Sequence, residues 1–412
     1  MIAEEVGATV RLGGYLVARV ASRVEGVHRA VARRVFSGAG LVGEPVRVVH
    51  DRVAGVVYTG LRVGGLTAGA VAGEVVGRVI PSSFPAGSTP LGNQALAALN
   101  GFAGHHLKDD LSPLAIRMAV RSAGRDVRLT RVDLAAAFPD ASAKLAVFVH
   151  GLAETENFWT AKASDGSEGG YGPLLRTELG YTSVYVRYNS GRHVSENGRS
   201  LGRLLSDLVA AWPVPPEEVL LVGHSMGGLV IRSACHYGAD EAQHWVPLVR
   251  HIVYLGTPHL GAPLARAAGL AGWTLSRLPE TKPFVPFLNG SSDGVKDLRF
   301  GYLLDEDWLG CDPDHCRRDH RGDVPLLESA NHYVISVTVT SDPNSPLGAV
   351  VGDLLVRPAS AHGRHRRRQH IPFPVEHCRS LGGLTHFHLV NHPSVWTELR
   401  ALLQPTTRSR IP

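Results

Sequence analysis

A chain of 412 residues, 44% hydrophobic and 19% charged, is long enough for one large domain with attachments or for two domains, and its composition is that of an ordinary folded protein. The formal charge of +5 is modest and spread along the chain without an aromatic-interleaved basic stripe, so no nucleic-acid partner is expected. Four cysteines do not make a disulfide framework at this length, and the acidic start Met1-Ile2-Ala3-Glu4-Glu5 lacks the layout of a signal peptide, so a cytoplasmic location is expected.

Residues 1–95 differ from the rest: they are rich in Val, Ala, Gly and Arg and carry no cluster of reactive side chains. Residues 10–35 space their apolar side chains as a helix does, with Arg19, Arg23, Arg29, Arg33 and Arg34 between them. Residues 53–80 are more apolar, but Arg62, Glu74 and Arg78 interrupt them, and the uncharged core of 63–73 falls short of the roughly 20 residues a bilayer span needs. One reading is a pair of amphipathic helices packed on each other or on the main domain. The other is a module peripheral to a membrane, its arginines flanking small apolar faces. A linker over 81–90 separates this helical N-terminal extension from the domain of residues 96–412. Residues 93–121 read as helix broken near Ser112-Pro113. His105 and His106 sit there beside Lys108, Asp109 and Asp110 as a solvated face, since no third and fourth ligand follow at metal spacing.

Lys144 to Val149 is a buried strand by length and β-branching, and it ends in His150-Gly151-Leu152. Residues 182–188 are the next strand and 198–212 a helix. A third apolar run, Val219-Leu220-Leu221-Val222, then leads into Gly223-His224-Ser225-Met226-Gly227-Gly228 and a helix through about residue 237. Strand, tight turn bearing a serine, then helix is the pattern of a nucleophile elbow. The spacing Gly-x-Ser-x-Gly also occurs at Gly198 to Gly202, around Ser200, but polar residues rather than a strand precede it, so Ser225 is the expected nucleophile. An oxyanion formed at Ser225 needs two preorganised backbone donors. The expected pair is the amide of Met226, just after the serine, and that of Leu152 in the loop after the earlier strand. Residues 249–255 form a further strand, ending at Gly256-Thr257-Pro258-His259-Leu260-Gly261-Ala262-Pro263. Continuous apolar strands of this kind are buried on both faces of a parallel sheet, and reactive residues belong at their carboxyl ends.

Three stretches together, 147–152, 223–228 and 255–263, resemble those of the α/β-hydrolases, in particular the bacterial lipase/esterase group and the GPI inositol-deacylase-like hydrolases. The resemblance covers about residues 140–402. It implies the α/β-hydrolase fold, with a mostly parallel central sheet, helices on both faces and a lid-like insertion at about 261–325 whose apolar side chains line an acyl pocket. Inside that insertion lie Cys311, His315, Cys316 and His320, open to reading as a metal site, a local disulfide or ordinary loop chemistry; no metal is expected.

Residues 332–339 are the next strand, after which the resemblance places the acid of a triad. Asp353, in Gly352-Asp353-Leu354-Leu355-Val356, is similar to the Asp-Gly-Leu-Val loop of related lipases, with Leu354 where they have glycine. Asp342 is the competitor and reads as a turn residue before Pro343. The base comes last in these folds. By resemblance it is His386, at the head of the final helical segment, while His388 and His392 read as pocket or helix-start residues. Between acid and base the basic run 362–368 reads as a solvated loop or as a contact for an anionic surface. The resulting expectation is a serine carboxylic-ester hydrolase acting through an acyl-enzyme, built on Ser225, Asp353 and His386 with the amides of Leu152 and Met226. His150, Gly151, Gly223, His224 and Gly227 support it. Its substrate would be a lipid or other small acyl ester, without cofactor. An acyltransferase with the same triad, or a non-catalytic interaction protein on this fold, are the alternatives.

Overall fold

The computed structural model describes residues 90–107, 114–160, 170–262, 292–310, 321–364 and 371–404, with isolated positions between 25 and 67. Two compact units divide the chain. One comprises Met1–Leu96, Ala103–Ala115 and Ala267–Ser292, the other Ala97–Phe102, Ile116–Arg266 and Asp293–Pro412. In the first, the described positions between 25 and 67 are helical, and Arg62 forms an ion pair with Glu25. Most of the expected N-terminal helix pair, residues 263–291 of the expected insertion, the Cys311 to His320 group and residues 365–368 of the basic run lie outside the described residues. Among the described residues, no helix is long and apolar enough to cross a membrane, and no group of three or more His, Cys, Asp or Glu is set to hold a metal ion.

The second unit is built on eight strands: β1 (Ala119–Ser122), β2 (Arg125–Val127), β3 (Lys144–Val149), β4 (Thr182–Arg187), β5 (Glu218–His224), β6 (Val249–Leu255), β7 (Asn331–Thr338) and β8 (Cys378–Gly382). They lie in the order β2-β1-β4-β3-β5-β6-β7-β8. Every pairing from β4 to β8 is parallel, and only the β1–β2 hairpin and its junction with β4 are antiparallel. From β4 to β8 this strand order, with a serine elbow after β5, is that of the α/β-hydrolase fold. Residues 119–121, expected at the end of a helix, are strand instead. Val120 pairs with Val186 of β4 and is fully buried, so a long-range partner overrides the local pattern.

Side chains alternate between the two faces of the sheet. Leu145, Val147 and Val149 of β3, with Val219 and Leu221 of β5, pack among the buried side chains of helices Val194–Ala211 and Met226–Asp240. Ala146, Phe148, Leu220 and Val222 face the opposite way, into a cluster with helices Tyr171–Leu179 and Pro393–Leu403. Burying each larger apolar side chain contributes about 1.5–3 kcal/mol, which holds the strand ends and the loops they carry in fixed register. The rejected glycine–serine motif finds its explanation here. A Cβ on Gly198 would sit 2.2 Å from Ser233 Oγ, so that glycine serves close helix packing. Ser200 itself hydrogen-bonds back to the Glu196 carbonyl within its helix.

Candidate active site

Strand β5 ends at His224 and the helix begins at Met226, so Ser225 alone makes the turn. It does so with φ 52° and ψ −121°, outside the regions an L-residue occupies freely. Close packing pins the strained turn. The Ser225 amide donates to the Leu255 carbonyl of β6 at 2.8 Å, while a Cβ on Gly227 would sit 2.2 Å from the Val149 carbonyl oxygen. Any side chain at 227 would push β3 away from the elbow. The helix start at Met226 turns unpaired amides and a positive dipole end toward the serine.

Beyond β3, the loop from His150 lies against this turn: a Cβ on Gly151 would be 3.1 Å from Ser225 Cβ. His150 is buried, and burial pushes its pKa down to about 4, so it is neutral. Its Nδ1 bonds the Gly151 carbonyl at 2.8 Å, its Nε2 accepts from the Tyr188 amide at 3.3 Å, and the Tyr188 ring stacks on it. The Ala153 amide is anchored on Ser190 Oγ at 2.9 Å. Among the described residues no hydrogen bond engages the amide of Leu152 or that of Met226. The amide of Gly151 is engaged, donating to Glu154 Oε2 at 2.7 Å.

In the loops after β7 and β8, Asp353 and His386 are both 2% exposed, and His386 Nδ1 lies 2.6 Å from Asp353 Oδ2. Asp353 Oδ1 accepts the amides of Leu355 and Val356 at 2.9 and 2.7 Å, and the His386 amide donates to the Asp353 carbonyl at 3.2 Å, so carboxylate and ring are fixed from several sides. His386 Nε2 is buried with no hydrogen-bond partner. The ring borders the elbow, its centroid 4.7 Å from that of His224 and its Cε1 3.0 Å from where a Cβ on Gly256 would be. Leu354 takes φ 84° and exposes its side chain. The competing residues are occupied elsewhere. Asp342 is exposed, and its Oδ1 accepts the Asn344 amide in a turn. His388 Nδ1 accepts from the Thr385 amide, and His392 caps the final helix by accepting from Ser394.

Glu154 carries no motif in the sequence, yet its carboxylate meets the elbow directly. Oε2 lies 3.1 Å from Nδ1 of His224, and His224 Nε2 lies 3.3 Å from the His386 carbonyl oxygen. Only its position three residues beyond Gly151 could have drawn attention to it. Apolar side chains border the same region: Phe158 packs 5.4 Å from the His224 ring and meets the exposed Phe387 edge-on at 6.1 Å.

Residues 184–271, which contain the elbow, match the family model of the PGAP1-like alpha/beta domain. No curated protein matches the chain. Among solved structures it is similar to the mature lipase BlEst2 of Bacillus licheniformis, with 20% identity, a TM-score of 0.42 and coverage of 63% of this chain and 91% of that one. It is also similar to the phospholipase PlaB of Legionella pneumophila, with 14% identity, a TM-score of 0.33 and coverage of 53% and 44%. An esterase of Pyrobaculum calidifontis follows, with 12% identity, a TM-score of 0.33 and coverage of 64% and 76%. The α/β-hydrolase fold follows from the sheet order and the elbow, and the family match supports the lipase/esterase group.

Proposed function

We propose that the chain is a serine carboxylic-ester hydrolase. Ser225 Oγ attacks the acyl carbonyl, His386 Nε2 takes its proton and returns it to the departing alkoxide, and Asp353 keeps His386 in the required tautomer and balances its charge. The amides of Leu152 and Met226 receive the oxyanion, an interaction for which each donor is typically worth about 3 kcal/mol in the transition state. Water, activated by the same histidine, then releases the acyl group from Ser225.

One observation carries this reading. The buried His386 ring gives Nδ1 to Asp353 at 2.6 Å and leaves Nε2 with no partner, beside a serine on a strained elbow. Buried polar atoms are nearly always hydrogen-bonded, and an open ring nitrogen on a carboxylate-paired histidine next to the elbow supports a role in receiving a reacting group. Phe158 and Phe387 lie beside the elbow and suit an apolar acyl chain. Lipid or other acyl esters are therefore the proposed substrate class.

Hydrolysis of p-nitrophenyl esters across acyl lengths, with Ser225→Ala alongside, tests this. The expected result is activity that falls by about 10⁴-fold or more in the variant. Near-wild-type hydrolysis by Ser225→Ala would remove the proposal.

A further inference from the structure

Three loops have to meet at Ser225 for the proposed reaction: the one after β3, the elbow itself and the one that carries His386. A single pair of side chains touches all three. Glu154 Oε2 accepts the Gly151 amide at 2.7 Å and faces His224 Nδ1 at 3.1 Å, and His224 Nε2 reaches the His386 carbonyl oxygen at 3.3 Å. His224 is completely buried, and the Glu154 side chain is 11% exposed.

The chemistry of those partners constrains the protonation of His224. A carbonyl oxygen only accepts, so Nε2 must carry a proton. Nδ1 faces a carboxylate oxygen that already receives one N–H from Gly151, and an N–H on Nδ1 completes the set. Both ring nitrogens then donate, which makes the ring an imidazolium beside a carboxylate.

We propose that Glu154 and His224 form a charged positioning pair that sets the Gly151-Leu152 loop and the His386 loop against the Ser225 elbow. The pair rests on the hydrolase reading above, and neither member touches the reacting atoms in it. Gly151 is drawn onto Glu154, which leaves the next amide, that of Leu152, free to point at the oxyanion. At the other end, the bond from His224 to the His386 carbonyl fixes the backbone from which the base projects.

The charged groups around His224 agree with this state. Burial, the largest influence, disfavours its cation, but the charge of Glu154, its hydrogen bond, the His386 carbonyl and the more distant Asp353 together raise the His224 pKa above the ordinary histidine value. For Glu154, burial again works against the charge, and His224 and the Gly151 amide outweigh it and hold the carboxyl below its usual range. Phe158, Trp159 and His386 supply the other rings packed on His224, and the first two do not titrate. Because the His224 pKa is raised and that of Glu154 is lowered, the pair is intact between the two and is lost as pH rises through the first or falls through the second.

Two measurements on the full chain test the pair. Nitrogen NMR of the His224 ring in Ser225→Ala at pH 7 is expected to show both ring nitrogens protonated, and this readout does not depend on turnover. Glu154→Gln keeps an acceptor for Gly151 but no charge for His224. Its kcat on a p-nitrophenyl ester is expected to fall about 10- to 100-fold with KM within about twofold, and the loss of activity at alkaline pH should move to lower pH. A singly protonated His224 ring at pH 7, or a Glu154→Gln protein with wild-type kcat and an unmoved alkaline limb, overturns the pair. Either result leaves the role of Ser225 to be judged by its own variant, and the NMR arm stands if Glu154→Gln does not fold.

Discussion

Two buried carboxylate–histidine pairs lie side by side in this molecule, and they differ in one nitrogen. Asp353–His386 leaves His386 Nε2 without a partner, whereas in Glu154–His224 both ring nitrogens of His224 face acceptors. A ring with a vacant position can exchange a proton with a reacting group. A ring bonded at both ends can only hold the groups it touches. The same chemical components thus give a proposed base in one place and a proposed strut about 5 Å away.

The comparison is broken most severely by disabling the vacant pair. His386→Ala and Asp353→Asn are each expected to lower kcat on a p-nitrophenyl ester by about 10⁴-fold, against no more than about twofold for the exposed Asp342→Asn. If Asp342→Asn gave the large loss instead, the acid would be misassigned. Compared with these, the loss expected for Glu154→Gln is smaller, because positioning is degraded while the proton path survives. Gly151→Ala sharpens the point without touching either histidine. Its Cβ would lie 3.0 Å from Glu154 Oε2 and 3.1 Å from Ser225 Cβ, so the loop must give way. The expected result is kcat lower by about tenfold with KM little changed, and a wild-type kcat would mean that the loop position matters less than argued. Smallest is Leu354→Gly, which removes a left-handed side chain next to the acid. Thermal denaturation is expected to show about 1 kcal/mol or less of added stability with kcat nearly unchanged, and a loss of stability would show that the Leu354 side chain contributes packing.

Much of this was legible in the sequence where chemistry depends on neighbours along the chain. The elbow at Ser225 and strands β3, β5 and β6 are short apolar runs followed by glycines, and such runs announce buried parallel strands. What escaped depends on partners far along the chain. Strand β1 is four residues with Arg121 in it, stabilised by pairing with β4 and by the buried carboxylate of Glu156, which also binds Arg187. Half-buried at every residue, β8 offers no apolar alternation to read. Glu154 is the instructive omission. A lone glutamate in a polar loop has no pattern, and its significance arises only when folding brings His224, 70 residues away, to its carboxylate. The choice of Asp353 over Asp342 likewise rested on likeness to relatives, because both lie in turn-rich sequence, and burial separates them only in the folded chain.

The central claim is that Ser225 is the nucleophile, and covalent trapping tests it most directly. After reaction with an alkyl fluorophosphonate, the intact chain and its peptides would be weighed by mass spectrometry. The expected result is one adduct, on Ser225, formed slowly or not at all in His386→Ala and absent from Ser225→Ala. Labelling that settles on Ser200 or another residue, or that persists undiminished in Ser225→Ala, would contradict the claim.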